Sequence, residues 1–341
     1  MKRKKTAPMT KAERIAAAIR GDAVDRVPYS LWSYLPMIDL DPAANAEHTY
    51  DFYKTYDVDI LKTMNNGMYS VEDFGVTVDY SDIERGGVAK IISTPVYTPE
   101  DWLKVKPVSL HEGALAREQD YLKRLLKKTN GEVPVIFTVF SPLTTANKLC
   151  PHMMEHIASG YGEQVKAALT AITETTCALV QRVIELGADG IFFATQLSSY
   201  DLVKEDLYKE YGMPYDIAVL SASQGWCNVL HAHGKHIMFP LLRKYPVQIF
   251  NWHAFESLPD IHEAQVMTGK CIMAGLERMD ITDGHKNEIE HQIYETLRET
   301  GGRHVILSPG CVIRYPLDPD MLSFVRKAKE EIEERLLRNR D

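Results

Sequence analysis

Two histidines one residue apart, in Leu230-His-Ala-His-Gly234, close an apolar run at residues 228–232. At a strand terminus residues i and i+2 point the same way, so both imidazoles of His231 and His233 can reach one ion. Far downstream, Ser308-Pro-Gly-Cys311 closes another apolar run and offers a thiolate. Two imidazoles and a thiolate suit zinc, a borderline-soft ion. Three protein ligands leave a fourth position for water or substrate, the catalytic rather than the structural pattern. His253 or Glu277 could fill that position while no substrate is bound. The same residues also admit a bland reading: a chance His-x-His and a small buried cysteine. Cys150, Cys177, Cys227 and Cys271 sit in or beside apolar runs, where burial is the default. His152 and His156 share a helix face at i,i+4 but lack the glutamate of a His-Glu-x-x-His zinc helix.

Something must bring residues 231 and 311 together. Short apolar runs at 27–32, 58–62, 133–140, 190–194, 228–232, 247–252, 271–275 and 304–308 are rich in Val, Ile and Phe. Such runs suit strands buried on both faces of a parallel sheet. Helical periodicity fills most gaps between them, notably 163–186, ending at Gly187, and 287–300, ending at Gly301-Gly302. An amphipathic helix at 324–338 closes the chain, and a short helix at 237–244 would hold His236 in its first turn. Eight strands alternating with helices predict an α/β fold, a (β/α)8 TIM barrel, in one domain spanning residues 1–341. Two additions account for the excess length. An N-terminal helical extension runs over residues 11–20, with Thr10 as N-cap. A hairpin insertion lies between the second and third strands, with arms at 75–80 and 88–93 around Glu84-Arg-Gly-Gly87.

In such a barrel the C-terminal strand ends carry the chemistry. Beyond the metal ligands, those ends supply Asn65, Gln196, Asn251, His253 and Glu277, which are assigned to orienting substrate. Composition narrows the field further. The 341 residues are 45% hydrophobic and 25% charged, values of an ordinary globular chain. The formal net charge of −8 disfavours nucleic acid or an anionic membrane as partner. No stretch approaches the ~20 apolar residues of a membrane span. Five scattered cysteines do not form a disulfide framework, and no apolar run follows the basic start, so a cytoplasmic location is expected.

Taken in order, several pieces resemble the uroporphyrinogen decarboxylase-like superfamily over nearly the whole chain. They are Thr10-Lys-Ala-Glu-Arg-Ile15 running to Asp25-Arg-Val-Pro28, Ser141-Pro-Leu-Thr144, Gly187-Ala-Asp-Gly190, Leu230-His-Ala-His-Gly234 and Ser308-Pro-Gly-Cys311. The resemblance implies the same barrel and offers two activities. Genuine decarboxylases grip an octacarboxylate tetrapyrrole with an arginine-rich segment after the first strand. Here Tyr29-Ser-Leu-Trp-Ser-Tyr-Leu-Pro36 holds no arginine. An aspartate expected after the second strand is also missing from Leu61-Lys-Thr-Met-Asn-Asn66, and Asp59 lies earlier, inside the strand. The other branch consists of zinc-dependent methyltransferases that move a methyl group between a corrinoid and a thiol. On that likeness His231 and Cys311 match zinc ligands, while His233 stands where the family has a cysteine. An imidazole for a thiolate adds about one unit of positive charge, making bound thiolate less nucleophilic and bound water more acidic.

The leading expectation is therefore a metal-dependent methyltransferase with Zn2+ on His231, His233 and Cys311. Its partners would be a small-molecule thiol and a methyl-corrinoid, free or on a separate corrinoid protein, and a homodimer is allowed. The alternatives are tetrapyrrole side-chain decarboxylation and non-catalytic binding of a corrinoid or tetrapyrrole.

Overall fold

A computed structural model describes residues 8–81 and 89–338. Its centre is a parallel sheet in the order β1 (Leu61–Lys62), β4 (Val135–Phe140), β5 (Gly190–Thr195), β6 (Val229–Ala232), β7 (Ile249–Trp252), β8 (Cys271–Leu276) and β9 (Val305–Pro309). Residues of β5 through β9 are all buried, as the continuous apolar runs require of strands covered on both faces. β2 (Thr77–Asp79) and β3 (Lys90–Ser93) pair antiparallel, giving the hairpin between the second and third barrel strands. Its expected turn at 84–87 lies outside the described residues, as does the basic start.

The sheet closes into a barrel, but the first stave departs from expectation. Residues 27–32 form no regular strand. Closure rests on Ser30 N–H to the Leu307 carbonyl (2.9 Å), Leu307 N–H to the Pro28 carbonyl (2.9 Å) and Asp59 N–H to the Tyr29 carbonyl (2.9 Å). Pro28 has no N–H to give a ladder, so this stave is reduced to isolated bridges, Tyr29 to Leu307 and Ser33 to Ile313.

The outer helices obey their capping signals. Lys11–Arg20 starts at a Thr10/Glu13 capping box and ends at left-handed Gly21 (φ 73°). Gly162–Glu185 carries Val165, Leu169, Ile172, Val180 and Val183 inward. The last helix, Pro319–Arg338, begins five residues before the apolar periodicity does, because Asp318 accepts from Asp320 N–H (2.9 Å) and proline suits the first helical position. The expected helix at 237–244 shrinks to Phe239–Leu242. Ile237 instead bridges Ser199, and His236 (φ 46°) turns its Nδ1 to Asp201 at 2.8 Å, outside any helix. Among the described residues no helix is long and apolar enough to cross a membrane.

The N-terminal extension is fastened to the lower pole of the barrel by charge. Arg14 and Arg26 both donate to the fully buried Asp59 (2.7 Å each), and Arg14 also grips Asp25 (2.7 Å). Asp59 is thus committed to structure at the end of β1 opposite the strand termini that face the cavity.

A second buried acid stands alone outside the sheet. Asp216, in the helix Met213–Ala222, accepts from Tyr208 (2.7 Å) and Tyr245 (2.8 Å) at Oδ2, while its Oδ1 has no partner among the described residues. Burial pushes its carboxyl up to about 7. A raised carboxyl contributes stability that is full below the unfolded value and is lost as pH rises through 7. Between pH 5 and pH 8 the wild type should lose roughly 2 kcal/mol more than Asp216→Asn in urea titrations. Parallel pH profiles for the two proteins would refute this.

Candidate metal centre

Four side chains meet at the C-terminal pole. His231 lies on β6, opposite Ala194 of β5 and Asn251 of β7. His233 follows that strand, its N–H held by the Thr195 carbonyl (3.0 Å). His253 follows β7, and Cys311 follows β9 by two residues. Gly310 makes the last approach possible: a Cβ there would stand 2.7 Å from the Trp252 carbonyl and 2.8 Å from His253 Cα.

One ligand atom from each of His231, His233, His253 and Cys311 falls within 4.8 Å of the others. His233 Nδ1 is 3.6 Å from Cys311 Sγ and 3.3 Å from His253 Nε2. In a tetrahedral zinc site, bonds of about 2.0–2.3 Å give ligand–ligand edges of about 3.3–3.7 Å, so these separations suit a shared ion. The sulfur and nitrogens face one another across a gap that a cation would bridge. The residues fit the metal.

Neighbours decide which nitrogen each ring offers. Asn251, wholly buried, donates through Nδ2 to the carbonyls of Met273 (2.5 Å) and Pro309 (3.2 Å). Its Oδ1 must therefore be the atom 2.5 Å from His231 Nδ1, which makes Nδ1 a donor and leaves the Nε2 lone pair for the ion. Glu256 Oε1 does the same for His253 at Nδ1 (2.9 Å), freeing its Nε2. Burial, then the neighbouring histidines, holds His231 well below the usual imidazole value. Burial and then His253 push His233 down to about 4, and burial also lowers His253. All three rings are thus neutral donors. Burial raises the Cys311 thiol, so that sulfur keeps its proton until a metal displaces it.

The centre opens into a cavity of about 490 Å³ walled by Trp32, Phe140 and Phe192. His231, His233 and Cys311 line it; His253 stands behind them against a smaller void. Of the side chains assigned to substrate, Gln196 and Asn65 reach the cavity. Asn65 is tied to Glu118 (2.8 Å) and to the Thr63 hydroxyl. Asn251 does not reach it and serves His231 instead. Glu277 caps the helix Arg278–Thr282 through Met279 and Asp280 N–H, and lines only the smaller void. Sequence reasoning missed Glu256 as the anchor of His253. It also gave no role to Lys62, Lys148 and Arg278, three cations on the cavity wall. A lysine inside the apolar run at 58–62 was the available signal.

The family model of uroporphyrinogen decarboxylase (URO-D) matches residues 10–332. The methylcobamide:CoM methyltransferase MtbA of Methanosarcina acetivorans is 24% identical over 229 residues, covering 62% of this chain and 66% of that relative. This chain thus spans just under two thirds of that relative's length. A methylated-thiol–coenzyme M methyltransferase of Methanosarcina mazei is 24% identical over 348 residues, 94% of this chain and 90% of its own. Among solved structures, a methyltransferase from Methanosarcina mazei superposes with a TM-score of 0.79 at 18% identity, covering 95% of this chain and 99% of that one.

Zinc titrated into metal-free protein should bind at about one ion per chain and release close to one proton, from Cys311. Calorimetry in buffers of different ionisation enthalpy measures the proton. Cys311→Ala should abolish the release, and Asn251→Ala should weaken zinc roughly 10- to 100-fold by freeing the His231 ring. Unchanged affinity in Asn251→Ala would refute the anchoring role.

Proposed function

Because this chain belongs to the uroporphyrinogen decarboxylase (URO-D) family, we propose that it is a metal-dependent methyltransferase acting between a methyl-corrinoid and a small thiol. The observation that carries the reading is the convergence of His231, His233, His253 and Cys311 on one point at the wall of an aromatic cavity. Zinc bound there would lower the pKa of a substrate thiol and hold the resulting thiolate for attack on a methyl group. The chain's own groups do the rest. Asn251 and Glu256 fix the His231 and His253 rings. Of the four residues that would hold the ion, His231, His233 and Cys311 line the cavity and His253 lies outside the lining, so a thiol would approach the site from the cavity side. Gln196 and Asn65 orient the thiol, and Trp32 and Phe192 exclude water from the sulfur. The corrinoid reaches the mouth free or on a separate protein.

Tetrapyrrole decarboxylation is the lesser reading. The stretch from Tyr29 to Pro36 carries no arginine, and Asp59 is spent on Arg14 and Arg26 at the opposite pole.

The test is anaerobic incubation of zinc-loaded protein with methylcobalamin and a panel of thiols. Methyl transfer leaves both electrons of the cobalt–carbon bond on cobalt, so cob(I)alamin should accumulate as the thioether forms. Cys311→Ala and His231→Ala should lower the rate by at least ~100-fold. Loss of carbon dioxide from uroporphyrinogen, with no thioether from any thiol, would overturn the proposal.

A further inference from the structure

Lys62 is 5% exposed, ends β1, and lines the same cavity as the metal centre. Among the described residues its ammonium has one hydrogen-bond acceptor, the Thr63 carbonyl at 3.2 Å, which leaves two N–H donors unused there. The Phe192 ring centre lies 4.9 Å from Nζ and the Trp32 ring centre 5.9 Å, so the charge is partly sheltered by π faces. No carboxylate among the described residues pairs with it. Arg278 lines the same cavity, its Nε buried without a partner among the described residues. Among the described residues Lys148, a third cation on the wall, meets only the Gly67 carbonyl (3.1 Å) and the face of Phe140 (4.8 Å). Against these stands one acid in the described lining, Asp39, bonded to Asn66 Nδ2 (3.2 Å).

Burying a cation without a counter-ion is costly, and protein cores rarely do so without a reason. An aliphatic residue at position 62 would fill the same space beside the two aromatic rings at no such cost. We infer that Lys62, assisted by Arg278, reads an acid group on the small-molecule substrate, so that the cavity selects a compact monoanion with an apolar body. Trp32 and Phe192 meet edge to face (5.5 Å between centres) and form one apolar wall; the body packs against that wall while the acid accepts the two free Lys62 donors. Phe192 also stacks on His231 (5.2 Å between centres), so one ring touches both the acid site and the metal site. Burial pushes the ammonium down only to about 8, so it carries its charge at neutral pH.

The inference rests on the methyltransferase reading only in taking the substrate to be a thiol, and the acid site can be tested without one. Calorimetry on metal-free protein should show 3-phenylpropionate binding about tenfold or more tighter than 3-phenyl-1-propanol, as expected for charge-assisted bonds. Lys62→Met should reduce that preference below about twofold while leaving the alcohol's affinity unchanged, and Lys62→Arg should keep it. Arg278→Met should give a smaller reduction, and it covers the case in which Lys62→Met fails to fold. Equal affinities in the wild type, no binding of either ligand, or a preference that survives Lys62→Met would each overturn the inference. A companion titration separates it from the function proposed above. If the acids discriminate but 3-mercaptopropionate gains nothing from added zinc, the thiol chemistry fails and the acid site stands.

Discussion

Asn251 is the side chain on which the arrangement of the mouth depends. From β7 it reaches His231 on β6, the Met273 carbonyl on β8 and the Pro309 carbonyl at the end of β9. Carbonyls only accept, so the amide has one orientation, and that orientation dictates the tautomer of His231. The bond that ties four neighbouring strands together is therefore also the bond that prepares a metal ligand. Structural and chemical demands on this residue cannot be separated. Its neighbours follow the same economy: Gly310 admits the last turn against His253, and that turn delivers Cys311.

Much of this was legible in the chain. His231 and His233 are two apart at the end of an apolar run, and Cys311 closes another such run. In a parallel barrel all such ends share one face, so remote residues become neighbours by rule. The sequence puts His253 at the same rim, as an orienting group and as one of two candidates for the fourth metal position, because a residue one past a strand end carries no spacing partner that would single it out as the ligand. Its strand-end position alone assigns Asn251 to the substrate. Strand alternation gives which side of the sheet a residue occupies but not whether an amide stops at its neighbour or reaches the cavity. Glu256, Lys148 and Arg278 were illegible for another reason: they lie beyond the strand ends, in segments whose paths no strand periodicity encodes, whereas Lys62 stands out as a lysine inside an apolar run. Among the elements, the strongly patterned helices emerged nearly to the residue at Lys11–Arg20, while the first stave failed because Pro28 interrupts its ladder inside an otherwise apolar run.

Charge is distributed with some consistency over the molecule. The formal balance is −8, yet the described cavity lining sets Lys62, Lys148 and Arg278 against Asp39 alone. At the lower pole the opposite rule applies, and buried Asp59 is matched by two guanidiniums. Paired charges thus mark the end that only holds the barrel together. Unpaired ones mark the end that opens to solutes, where a missing counter-ion is a feature of recognition rather than a defect.

The barrel's closure has a mechanical corollary. The first stave has no continuous ladder: scattered backbone hydrogen bonds at residues 28–32 and the hydroxyls of Ser30 and Ser33 join it to its neighbours, whereas β8 and β9 pair through five successive residues. Trp32 and Tyr34, on that loosely stitched side, form one wall of the cavity, and the metal ligands stand on the densely laddered side. Thermal breathing will concentrate where the lacing is thinnest. One half of the chamber can yield to guests of differing girth while the coordinating half keeps its geometry.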